Sequence, residues 1–178
     1  AGIYADYASS NRWQIRQRTN IVDEAPSSDI REWSSNMFVQ QVMKYTAGSL
    51  QDTGLLLNTS SRIYIPFVKL GDTSEYYHHD MLHLLGSRGV DALSNVMGLD
   101  KDSVVQTSVE NVYLGMLDAY EKAGMDDGYV LCKLDYLNWK RNSDPTFVPY
   151  RAPQNLIGLT QDPYLAGLDK LKADFKSH

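Results

Sequence analysis

The sequence predicts a mainly α-helical single domain of five or six helices around an antiparallel helical hairpin, with extended N-terminal and C-terminal arms. Three observations lead there. Apolar residues recur at spacings of three and four over much of residues 102–141, the repeat of one helix face. Gly and Asp fall where helices stop and start. The single β-rich stretch, 61–70, contains Pro66, which limits it to a short edge strand or an extended crossing. At 178 residues the chain suits one domain. It divides into an arm at 1–28 and a helical domain at 29–178 that includes an extended, Pro-containing segment at 142–161.

In chain order, residues 1–28 scatter their apolar side chains (Ile3, Tyr4, Tyr7, Trp13, Ile15) without a sustained period, which reads as an extended arm. Ser28 or Asp29, the latter with Glu32 three residues on, caps a helix over about 29–47. Ile30, Trp33, Met37, Val42 and Tyr45 form its stripe, and Gly48 its stop. Gly71-Asp72-Thr73-Ser74 turns into a helix over 75–86 that closes at Gly86, and a shorter helix covers 89–99. The longest helix, 102–123, has Val105, Val109, Val112, Met116 and Tyr120 on one face and ends at Gly124. After a short connection the next helix runs from Asp126 or Asp127 to about Arg141, with Val130, Leu134, Leu137 and Arg141 on one face, broadened by Leu131 and Tyr136. So short a link makes the pair a hairpin. Pro163 opens a last helix over about 162–175, whose stripe is Leu165, Leu168, Leu171 and Phe175.

Charge and motifs exclude several function classes. Net charge is -5 and pI about 5.3, so the overall basic field that drives phosphate binding is missing, and no strong nucleic-acid signal is present. No run reaches the roughly 18 apolar residues of a membrane-spanning helix, and mean hydropathy is -0.39, which predicts a soluble protein without a transmembrane segment. The chain lacks phosphate-cradling glycine loops and a G-x-S-x-G elbow. Cys132 has no partner cysteine and sits among helical apolar residues. It reads as a buried, inert thiol, compatible with a reducing compartment.

One stretch carries candidate chemistry. Tyr76-Tyr77-His78-His79-Asp80-Met81-Leu82-His83 holds three of the four histidines. His79 and His83 are four apart, so on one helix both imidazoles could face a divalent transition metal such as zinc. His79-x-x-Leu82-His83-Leu84-x-Gly86 resembles the metal-binding motif of the YbeY-type metalloproteins, H-x-x-L-H-L-x-G-x-x-H. That resemblance implies zinc and phosphodiester hydrolysis. The motif's third ligand position falls on Gly89, and Asp80 stands where zincins carry a longer Glu as general base. A metal-dependent hydrolase is therefore the alternative function. A small helical ligand-binding module, with Tyr76, Tyr77 and Trp139 around its pocket, is a further one.

The leading expectation comes from the arms. Tyr, Trp and Arg dominate the energetics of protein interfaces. The chain has 12 Tyr against 4 Phe and 3 Trp. Tyr4, Tyr7, Arg12, Trp13, Arg16 and Arg18 crowd one arm, and Tyr150 and Arg151 lie in the other. These residues are expected to bind partner subunits, homo- or hetero-oligomeric. The function expected is a structural or assembly subunit of a larger complex, with no cofactor and no catalytic residue.

Overall fold

A computed structural model describes residues 1–18, 27–64, 66, 79–143 and 163–176. The described chain is mainly helical, with eight α-helices and no strand among the described residues. They are α1 (Gly2–Ser10), α2 (Arg12–Arg16), α3 (Ser35–Ser49), α4 (Thr53–Asn58), α5 (Met81–Asn95), α6 (Asp102–Ala123), α7 (Asp126–Ser143) and α8 (Pro163–Asp174). Eight replaces the five or six expected, chiefly because the N-terminal segment is not an extended arm.

Residues 1–16 wind into α1 and α2 and pack on the core. Their inward face is built from small residues: Ala5, Ala8 and Ile15 have no exposed surface, and Ala1, Tyr4 and Tyr7 pack beside them. Positions 1, 4, 5 and 8 share one helix face, but alanines contribute so little to an apolar stripe that the period is easy to overlook. Asn11 ends α1 by donating its side-chain amide to the Tyr7 carbonyl at 2.9 Å.

The helix expected over 29–47 starts later. Asp29 accepts from the Arg31 N–H at 2.9 Å, but it caps only a 3-10 turn at Ile30–Glu32. Trp33 is extended, with ψ 136°, and sends its indole inward, where its N–H donates to the Ser27 carbonyl at 2.6 Å. The α-helix then starts at Ser35 and continues past Gly48 to Ser49. Its buried face is Met37, Phe38, Val39, Val42 and Thr46, whereas Tyr45 is 45% exposed. Around 61–70, residues Ser61–Tyr64 form a 3-10 turn, and the only β-type pairing among the described residues is an isolated bridge between Ser60 and Asp80. Residues 67–70 lie outside the described residues.

The helices expected at 75–86 and 89–99 are, over their described part, one helix, α5, which passes through Gly86 and Gly89 without a break. These glycines are contact points. A Cβ on Gly86 would sit 2.2 Å from the Met116 sulfur, and one on Gly89 would sit 2.6 Å from the Thr46 methyl. They let α6 and α3 approach the α5 backbone closely, and α5 packs against both. The chain turns at Gly98, where φ is +76°.

All five stripe residues of α6 (Val105, Val109, Val112, Met116 and Tyr120) are buried. Gly124 ends the helix in the left-handed region, with φ +64°. Contacts between α6 and α7 then pair Gly128 with Tyr120, Cys132 with Tyr113 and Tyr136 with Glu110. The inward face of α7 is Gly128, Cys132, Tyr136 and Leu137, with Val130 and Leu134 only half-buried. Leu137 and Tyr136 of the expected face are buried, and Gly128, where the Tyr120 ring lies against the backbone, and Cys132 complete it. Helix α8 packs on α7 through Gly167 against Leu137 and through Tyr164, which donates to Asn138 at 3.0 Å and lies under the Arg141 guanidinium. Leu171 is buried there, but Leu165 is 42% exposed.

Candidate functional site

The N-terminal aromatic and arginine residues divide into two groups. Tyr4, Tyr7, Arg12 and Arg18 are used inside the fold. The Tyr4 ring lies 5.0 Å from Trp33 and 5.5 Å from Tyr45, and the Tyr7 ring 5.7 Å from Phe38. With Trp33 and Phe38 5.2 Å apart, these rings clamp α1 onto α3. Such pairs contribute about 0.5–1.5 kcal/mol each beyond area burial. Arg12 donates to the Asn95 carbonyl at 2.7 Å and to the Met97 carbonyl, satisfying carbonyls at and beyond the C-terminus of α5. Arg18 donates to the Trp33 carbonyl at 2.8 Å. These four half-buried residues, expected as partner contacts, thus also make contacts within the fold.

Trp13 and Arg16 face outward. Trp13 is 73% exposed, and Ile3 on the adjoining helix is 83% exposed. Tyr150 and Arg151 of the expected C-terminal arm lie outside the described residues.

The histidine pair is not on one helix face. Asp80 is the N-cap of α5, accepting from the His83 N–H at 2.6 Å, so His79 precedes the helix. The His79 carbonyl accepts instead from the Ser61 N–H at 2.9 Å. The one-turn spacing that would aim both imidazoles at one ion is therefore not realised. His83 is 1% exposed, and its Nε2 lies 3.2 Å from Asp135 on α7. Among the described residues, no three His, Cys, Asp or Glu side chains are grouped to hold a metal ion. Tyr76, Tyr77 and His78 lie outside the described residues.

What surrounds His83 is a polar cluster, buried at Asp80, His83 and Tyr120 and open to solvent at Asp135, that the linear pattern does not reveal. Asp80 is 3% exposed, and its second carboxylate oxygen accepts from the Tyr120 hydroxyl at 2.8 Å. Burial, reinforced by the hydrogen bond to Asp80 and its charge, pushes the Tyr120 hydroxyl far up, so it stays a neutral donor. Cys132 is fully buried, and burial, with the Asp135 charge, pushes its thiol up to about 12. The cluster ties the start of α5 to α6 through Asp80–Tyr120 and to α7 through His83–Asp135. Its one legible signal is Asp80, three residues before His83, which is the spacing of an N-cap.

A second polar group, nearer the surface, joins α6 and α7. Glu110 accepts from the Tyr136 hydroxyl at 2.7 Å and pairs with Lys140 at 2.9 Å. Trp139 packs against the Tyr113 and Tyr136 rings, so it serves this junction. No described helix is long and apolar enough to cross a membrane. No protein-family model, curated protein or solved structure matches the chain.

Proposed function

We propose that the chain is a structural or assembly subunit of a larger protein complex and that it meets a neighbouring subunit through the outward faces of α1 and α2. The observation that carries this is Trp13, 73% exposed on a helix whose neighbour Ile15 is completely buried. An exposed tryptophan on a helix docked against the core is a ready anchor, because Trp is enriched among the residues that dominate interface energetics. Ile3, at 83% exposed, adds apolar surface on the adjoining helix, and the exposed Arg16 supplies a charged rim. The rings of Tyr4 and Tyr7 support the same reading in a different role, since they hold the helix in place and so lower the ordering cost of binding.

Hydroxyl-radical footprinting tests this reading. In assembled material, Trp13 oxidation should fall at least fivefold relative to the dissociated chain, while buried Trp33 stays unlabelled in both. Equal Trp13 labelling in the two states would place the contact elsewhere.

A further inference from the structure

Helix α2, which presents Trp13, has only five residues. Isolated helices shorter than about 12 residues are marginal in water, so α2 keeps its shape through what it is fastened to. Ile15 supplies one fastening. Its side chain is completely buried, and its carbonyl lies 3.5 Å from the Ser35 hydroxyl of α3. Arg12 supplies another. Its two terminal nitrogens donate to the Asn95 carbonyl at 2.7 Å and to the Met97 carbonyl, one at the last residue of α5 and one just beyond it.

The turn that receives Arg12 is shaped for it. Carbonyls at a helix C-terminus lack intrahelical partners and carry the negative end of the helix dipole, which favours a cation there. Gly98 follows Met97 with φ +76°, and a Cβ on it would lie 3.2 Å from an Arg12 nitrogen. Glycine therefore serves both the left-handed backbone and the close approach of the guanidinium. From the other side, Asp102 of α6 accepts from the Gly98 N–H at 2.5 Å, which pins the turn. Trp13 follows Arg12 directly, about 100° further round the helix, so fixing the inward residue fixes the direction of the outward one.

We infer that Arg12 is the positioning residue of the α1–α2 contact: its two-pronged hold on the turn after α5 orders α2 and thereby holds Trp13 in place for the partner subunit. The inference rests on the role proposed above for Trp13. A planar guanidinium spans two carbonyls at once, whereas a lysine ammonium offers a point charge on a flexible stem. Because α2 is ordered before association, less ordering cost falls on binding.

Amide hydrogen exchange on the dissociated chain and native mass spectrometry of the complex isolated under native conditions test the inference. The variants are Arg12→Gln, Arg12→Lys, Trp13→Ser and the Arg12→Gln, Trp13→Ser double. The Ile15 N–H, which donates to the Asn11 carbonyl at 3.0 Å, reports on α2. In Arg12→Gln its exchange should quicken at least tenfold, the scale of one lost hydrogen bond to a charged group, while Val109 in α6 keeps its rate. The concentration at which the complex half dissociates should rise at least tenfold as well, with Arg12→Lys recovering part of both losses. In the Trp13→Ser background, Arg12→Gln should add less than twofold, because a residue that acts through Trp13 has nothing left to position. Unchanged Ile15 exchange, equal acceleration at Val109, or a full additive loss in the double variant would each overturn the positioning role while leaving Trp13 as the anchor. A Trp13→Ser complex as tight as wild type would overturn the anchor itself, and the positioning role with it, even where Ile15 exchange responds to Arg12→Gln.

Discussion

Replacing Tyr120 with Phe isolates the polar cluster at the start of α5. The ring is completely buried and is packed against Gly128, where a Cβ would come within 2.4 Å of it. Phe keeps that ring, so no cavity larger than one oxygen is created. What is lost is the 2.8 Å hydrogen bond to the buried Asp80 carboxylate. A hydrogen bond to a charged group contributes about 1.5–3 kcal/mol. The other carboxylate oxygen keeps the His83 N–H at 2.6 Å, so the middle of that range, about 2 kcal/mol, is expected. For a chain of this length that lowers Tm by about 4–8 °C. Urea unfolding followed by circular dichroism should show a lower midpoint at unchanged slope. In a double-mutant cycle, Tyr120→Phe with Asp80→Asn should reveal coupling of about 1 kcal/mol or more. A loss below about 0.5 kcal/mol, the scale of a neutral surface change, would refute the view that this bond fastens α5 to α6.

Two further predictions concern packing and the buried thiol. Gly128→Ala should cost about 1–3 kcal/mol in spite of better helix propensity, because its Cβ meets a rigid aromatic ring, whereas Gly48→Ala, with nothing within 4 Å, should gain about 0.5–1 kcal/mol. Paired urea melts of the two variants check the contrast. Cys132, ordinarily near 9 and raised to about 12, should resist a thiol reagent at pH 8 in the native state and react at once when unfolded. Because its folded value is the higher one, the stability it contributes is complete below pH 9 and is lost as pH rises toward 12. Wild type should therefore lose more stability between pH 9 and 11 than Cys132→Ala does, as urea midpoints at each pH would show.

The parts of the fold legible in the sequence are those where large apolar residues carry the period. Val105 to Tyr120 in α6 is the clearest, and its stripe is buried throughout. Helix α1 was hidden because Ala5 and Ala8 face the core while the conspicuous Ile3 faces out. In the sequence α5 reads as two helices because Gly86 and Gly89 look like boundaries, and only the positions of Met116 and Thr46 show them to be contact points. The histidines were legible as residues but not as geometry. Whether His79 belongs to the helix turns on which side of it the N-cap falls, and Asp80 places it outside. Asp135 and Tyr120 join His83 and Asp80 only through tertiary packing, at separations of 52 and 40 residues.

Assembly through α1 and α2 is tested most directly by native mass spectrometry of the complex isolated under native conditions, comparing wild type with an Ile3→Ser, Trp13→Ser double variant. Both side chains are largely exposed, so the variant should keep the wild-type helical spectrum and melting temperature. The account predicts that wild type is found in particles well above 20.1 kDa and that the variant appears at 20.1 kDa alone. A wild-type chain found only at 20.1 kDa, or a variant that assembles as fully as wild type, would contradict it.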